Sequence, residues 1–226
     1  MNRRTVESIA KTIDHSLLKP TLTDQELLDG LQIAKKYKTA SVCIKPYFVS
    51  RAVEVLEFSG VAVGTVIGFP HGSQATSVKI METHQAIQHG AQELDMVVNI
   101  GKVLSGDWLY VETDIRAVVN LCKGNAAVSK VIFENCYLKD EHKIRLCEIC
   151  EKVGADFAKT STGYGDSGAT DLDLKLMRAH LSPAVQVKAA GGIRTLDRLL
   201  EVLDLGVTRV GATATAAILD DAAKRF

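Results

Sequence analysis

Asp156-Phe157-Ala158-Lys159-Thr160-Ser161-Thr162-Gly163 is a short strand-forming run that carries a lysine among apolar and small residues and stops at a glycine. A second run of the same design follows it, Val185-Gln186-Val187-Lys188-Ala189-Ala190-Gly191-Gly192. Working outward, β-like runs recur at residues 12–17, 41–44, 61–67, 93–99, 130–134, 157–161, 186–189 and 208–211. Between them lie longer stretches of helical period, among them 24–37 (with Thr23 or Asp24 as N-cap), 73–89 (closed by Gly90), 107–122, and 195–205 before Gly206. This alternation predicts an α/β fold, a parallel sheet joined by crossover helices. Eight such units in 226 residues fit a (β/α)8 TIM barrel forming a single domain over 1–226. An open doubly wound sheet is the other arrangement the rhythm allows, because periodicity does not report closure.

With 46% hydrophobic residues the chain has enough apolar content for a full core. Its 27 basic and 27 acidic residues cancel, so no global field draws nucleic acid or an anionic membrane, and any phosphate must be held locally. No stretch approaches the roughly 20 apolar residues of a membrane span. The first ten residues carry charge without a following apolar segment, unlike a secretory signal. The five cysteines, an odd number, point to a reducing, cytoplasmic setting. Cys147 and Cys150 match C-x-x-C, but within the helical stretch 140–153, so they read as buried helix thiols. The six histidines show no H-x-x-x-H or H-E-x-x-H spacing, and a catalytic metal is not expected.

The lysine pair carries the chemistry. An ordinary lysine has a pKa near 10.4, leaving only about one amine in 2,500 unprotonated at neutral pH. Burial and a neighbouring cation both disfavour the ammonium and so expose a nucleophile. A lone strand lysine would instead snorkel to solvent. Two of them, near the ends of adjacent strands and each followed by glycine, predict two nitrogens in one pocket. Asp95, the carboxylate inside Glu93-Leu94-Asp95-Met96-Val97-Val98-Asn99, needs a partner when buried, and a lysine reaching across the barrel mouth would supply it, as would a purely structural ion pair. Gly163, Gly191, Gly192 and Gly211, with Thr213, follow the last three strands and are expected to precede helix starts, where backbone N–H groups hold anions. Asp14, His15 and Glu134 read as rim residues or scaffolding.

Taken together these runs resemble the deoxyribose-phosphate aldolases, class I aldolases built on a (β/α)8 barrel. The likeness is carried nearly end to end by Ile13-Asp14-His15-Ser16-Leu17-Leu18-Lys19-Pro20, Gly64-Thr65-Val66-Ile67-Gly68-Phe69-Pro70, Glu93-Leu94-Asp95-Met96-Val97-Val98-Asn99-Ile100-Gly101, Lys159-Thr160-Ser161-Thr162-Gly163 and Val187-Lys188-Ala189-Ala190-Gly191-Gly192. The resemblance implies reversible cleavage of 2-deoxyribose 5-phosphate to acetaldehyde and glyceraldehyde 3-phosphate, with no cofactor, in deoxyribonucleoside catabolism. It implies Lys159 as Schiff-base lysine, Lys188 as the neighbour that lowers its pKa, and Asp95 as acid/base partner through a water. Gly163, Gly191, Gly192, Gly211 and Thr213 would line the phosphate pocket, Asp14 would make a minor contact near its mouth, and Thr162 would lie in the substrate pocket. Where relatives often carry two hydroxyl residues after the last strand, this chain has Ala212-Thr213-Ala214, which shifts phosphate contact toward backbone amides. The expected partners are small sugar phosphates and aldehydes, neither nucleic acid nor membrane, with assembly as a dimer or larger homo-oligomer. A Schiff-base aldolase for another sugar phosphate and a non-catalytic sugar-phosphate-binding barrel are the alternatives.

Overall fold

Helix boundaries follow local chemistry. Thr23 begins the first long helix: its hydroxyl accepts the Glu26 N–H at 3.3 Å, and the Glu26 carboxylate accepts the Thr23 N–H at 2.7 Å, a reciprocal cap for two otherwise unpaired donors. Gly154 ends a later helix at φ 67°, the left-handed position that glycine takes without a Cβ penalty. The computed structural model describes residues 4–226.

The strands are β1 (Ile13–Leu17), β2 (Ser41–Ile44), β3 (Ala62–Ile67), β4 (Glu93–Val97), β5 (Val128–Ile132), β6 (Phe157–Lys159), β7 (Gln186–Ala190) and β8 (Arg209–Ala212). All neighbouring pairs are parallel, and β1 pairs with both β2 and β8, so the sheet closes into a barrel in chain order. Closure excludes the open sheet. The helices are α1 (Val6–Ala10), α2 (Asp24–Tyr37), α3 (Val49–Leu56), α4 (Thr76–Gln88), α5 (Ile100–Leu104), α6 (Trp108–Gly124), α7 (Asp140–Val153), α8 (Asp171–Ala179), α9 (Leu196–Asp204) and α10 (Thr215–Arg225). No helix of the described residues is long and apolar enough to cross a membrane.

The strand period of two separates two environments. Leu94, Met96, Val131, Phe133, Ala158, Val187 and Ala189 belong to one continuous apolar core with helix residues such as Val118, Leu146 and Leu174. The alternate residues of the same strands, Asp95, Lys130, Lys159 and Lys188, are just as buried but point into the barrel. Register aligns them: Asp95 is paired with Lys130, and Lys159 with Lys188.

Three of the shifts from the expected boundaries bear on the site. The fourth strand stops at Val97, because Asn99 turns the chain into α5 by accepting the Lys102 N–H at 3.1 Å. The fifth runs over Val128–Ile132 and ends before Glu134, whose backbone is left-handed at φ 58°. Gly163 does not abut a helix: a loop separates it from α8, capped by Thr170.

Candidate active site

Beneath the mouth the barrel is filled by charge. Three carboxylates (Asp14, Glu93, Asp95) and four basic side chains (Lys130, Lys159, Lys188, Arg209) form one connected network. Asp95 is its hub. One carboxylate oxygen accepts Lys130 Nζ at 2.7 Å; the other accepts both Lys159 Nζ and Lys188 Nζ at 2.7 Å each. The two lysine nitrogens therefore share a single oxygen. Lys188 is also held by Asp14 at 2.5 Å, and Lys130 by Glu93 at 2.7 Å. Arg209 reaches Asp14 at 2.6 Å and also bonds Glu93.

With every group ionised the network carries one surplus positive charge, and the surplus falls on Lys159. Burial drives the Lys159 pKa down; the Asp95 carboxylate opposes this, the Lys188 cation adds to it, and the outcome is a lowered pKa. Lys188 is just as buried, but Asp14 and Asp95 together overcome burial and raise its pKa, so it stays an ammonium. Burial alone would raise Asp95, yet Lys130, Lys159 and Lys188 hold it well below the usual carboxylate range. Of the two causes expected to depress Lys159, burial is the larger and the Lys188 cation the smaller.

Lys159 alone of this network lines the cavity that opens at the barrel mouth, about 410 Å³ in volume. Gly163, Gly191, Gly192, Gly211 and Thr213 line the same cavity, as does Thr162. Glycine is required at 191: its φ is 84°, and a Cβ there would lie 2.7 Å from the Gly168 backbone. Beyond Thr213 the chain enters α10 at Thr215, so a helix N-terminus lies behind this glycine-rich wall. Lys19 and Arg194 add two cations to the lining.

Asp14 is the residue the sequence misplaces. It does not line the cavity but lies fully buried, bonded to Ser41, Arg209 and Lys188, because its strand position faces the barrel interior below the mouth. His15 points the other way: its Nδ1 lies 2.8 Å from the Thr215 hydroxyl, and burial lowers its pKa to about 4. Glu134, read as a rim carboxylate, accepts both the backbone N–H and the hydroxyl of Thr162, which fixes the loop after β6. Burial raises its pKa.

Sequence reasoning missed Lys130, Glu93 and Arg209. Lys130 shares its strand phase with Ile132, which is paired with Lys159, a register that only the folded barrel shows. Cys43 was also passed over; its sulfur lies 3.9 Å from Asp95, and burial pushes the thiol up to about 11. Cys147 and Cys150 lie buried within α7, with the Cys147 thiol pushed up to about 12 by burial. Among the described residues no three histidine, cysteine, aspartate or glutamate side chains are grouped to hold a metal.

A family profile described as DeoC/LacD family aldolase matches residues 8–221. A protein of Rhodopirellula baltica named deoxyribose-phosphate aldolase is 55% identical over 218 residues, covering 96% of this chain and 90% of the relative. Among solved structures, a putative deoxyribose-phosphate aldolase from Coccidioides immitis superimposes with a TM-score of 0.93 at 37% identity, covering 100% of this chain and 89% of the other. The deoxyribose phosphate aldolase of Aeropyrum pernix, described as a unique tetramer, gives a TM-score of 0.90 at 28% identity over 98% and 94% of the two chains.

Proposed function

The chain belongs to the DeoC/LacD family of aldolases, and from that premise we propose that it reversibly cleaves 2-deoxyribose 5-phosphate to acetaldehyde and glyceraldehyde 3-phosphate through a Schiff base on Lys159. The observation that carries this reading is the shared Asp95 oxygen. It holds Lys188 as a cation and Lys159 as the surplus, less basic amine, and only Lys159 opens into the cavity.

In the cleavage direction the unprotonated Lys159 amine attacks the C1 aldehyde of the open-chain sugar. Loss of water from the carbinolamine leaves an iminium, whose positive charge is placed beside the Asp95 carboxylate. The C3 hydroxyl gives its proton to Asp95 through a water. The C2–C3 electron pair moves into the iminium to form an enamine, and the three-carbon aldehyde departs. Protonation of the enamine at C2 and hydrolysis release acetaldehyde and restore the amine. The phosphate, held by the Gly191–Gly192 and Gly211–Thr213 wall, supplies binding energy away from the reacting bond and sets the aldehyde near Lys159.

The test is reductive trapping. Acetaldehyde plus borohydride should add one two-carbon group to the chain, on the peptide bearing Lys159, and Lys159→Met should abolish both the adduct and turnover, a loss of at least about a thousandfold. An adduct that persists in the variant moves the nucleophile elsewhere.

We further read the protein as a cytoplasmic homo-oligomer serving deoxyribonucleoside breakdown. Its five unpaired cysteines, the tetramer formed by the Aeropyrum pernix relative, and exposed apolar side chains such as Phe58, Met81, Leu109 and Leu172 support that reading.

A further inference from the structure

Tyr164 follows Gly163 in the loop after β6, and its side chain crosses the barrel mouth. Its hydroxyl donates to the Leu18 carbonyl, in the loop after β1, at 2.8 Å. Its ring meets Phe69, in the loop after β3, edge-on at 5.5 Å between centroids. Neither β1 nor β3 neighbours β6 in the barrel, so the ring spans the opening instead of lying along its rim. Behind it, Thr162 anchors the loop: its hydroxyl accepts the Tyr164 N–H at 3.0 Å and itself donates to Glu134.

Two hollows share Leu18, to which this ring is fastened. The cavity containing Lys159 is lined by Tyr164 and Leu18. A second, of about 130 Å³, is lined by Leu18, Pro46, Val66, Gly68 and Phe69, and by Lys45 and Glu82. Both charged groups there are engaged, Lys45 with the Pro20 and Leu22 carbonyls and Glu82 with the Gly68 N–H. What remains is a small space whose apolar lining is Leu18, Pro46, Val66 and Phe69. Tyr164 belongs to one wall, Phe69 to the other, and the two rings touch.

We infer that Tyr164 is a specificity-determining residue: backed by Phe69 and fastened to Leu18, it partitions the reactive cavity from the second hollow and limits the acceptor to short aldehydes. Burial raises the pKa of its hydroxyl, so the fastening bond keeps its proton. Without the ring the two hollows join, and an aliphatic aldehyde too long for the native cavity gains an apolar place for its tail. The enamine carbon would bond to that carbonyl carbon as it does to the natural acceptor, and the new alkoxide would take its proton by the same water. The inference rests on the Schiff-base reading above, and the two fail separately.

The experiment compares Tyr164→Ala, Tyr164→Phe and the unaltered protein in the condensation direction, with glyceraldehyde 3-phosphate or hexanal as acceptor. Acetaldehyde trapping at Lys159 is the control for the nucleophile. Tyr164→Ala should retain trapping, lose kcat for the phosphorylated acceptor with KM little changed, and shift the kcat/KM ratio toward hexanal by on the order of tenfold or more. Tyr164→Phe keeps the ring against Phe69 and should keep the native ratio. An unchanged ratio in Tyr164→Ala overturns the partition, whereas absence of trapping in the unaltered protein overturns the Schiff base. Should the alanine variant alone fail to trap, Tyr164→Leu decides by the same ratio, because leucine packs against Phe69 yet cannot reach Leu18 or fill the ring's width.

Discussion

The barrel interior and the glycine-rich wall at its mouth border one cavity, yet they handle charge by different means. Inside, ionised side chains are packed away from water and neutralise one another through Asp95. At the mouth, Gly163, Gly191, Gly192 and Gly211 offer bare backbone, with α10 beginning just beyond. The interior sets the protonation state of an amine and needs low dielectric and fixed partners. In the proposed function the wall receives a dianion that must come and go, which suits N–H groups and a helix dipole better than a buried cation. Damage to the interior should therefore appear in kcat and its pH profile, and damage to the wall in KM for phosphorylated substrates.

Asp95→Asn is the strongest challenge to that division after loss of Lys159 itself. Turnover should fall by about 10²–10⁴-fold, the usual range for removing a general acid or base. Imine formation should survive and extend to lower pH, because the carboxylate that opposes the drop in the Lys159 pKa is gone. Single-turnover measurements separate the two steps; equal loss in both would reduce Asp95 to scaffolding.

Lys188→Met should act with the opposite sign on pH. It removes a cation that lowers the Lys159 pKa and leaves Asp14 and Asp95 with one counter-charge fewer, so both effects raise that pKa. The pH needed for trapping should move up, and a profile that stays in place would show that burial alone tunes the amine.

Gly192→Ala probes the other region with the smallest expected effect. A Cβ at 192 meets nothing within 4 Å, but φ is 84°, so the cost is backbone strain of roughly 1–2 kcal/mol. KM for deoxyribose 5-phosphate should rise several-fold to about tenfold, while kcat and turnover of unphosphorylated deoxyribose stay close to normal. A fall confined to kcat would place 192 with the interior.

The same contrast explains what the sequence could show. Lys159 and Lys188 stand out because each sits in a short run that ends in glycine, and Asp95 because it is a carboxylate among apolar residues. Glu93, Lys130 and Arg209 stayed hidden, and Asp14 was placed too near the mouth, because parallel barrel strands are buried on both faces, so alternation does not tell inside from outside. Their partners are also remote in sequence. Lys188 meets Asp14 only because β8 closes onto β1, and that contact exists in no single βα unit. Glu134 was read as a rim or scaffolding carboxylate, but its left-handed backbone at φ 58° was not legible, because in a non-glycine residue it is imposed by the loop that it holds. The glycine wall was legible because close backbone approach leaves glycine as its mark.

The proposed function turns on one amine that loses its proton more easily than an ordinary lysine. Its most direct test is the rate of borohydride trapping of acetaldehyde at Lys159 as pH is raised, with the modified peptide followed by mass spectrometry. The half-rise should fall below the ordinary lysine value of about 10.4, and a half-rise at or above that value would contradict the buried, surplus-charge origin of the nucleophile.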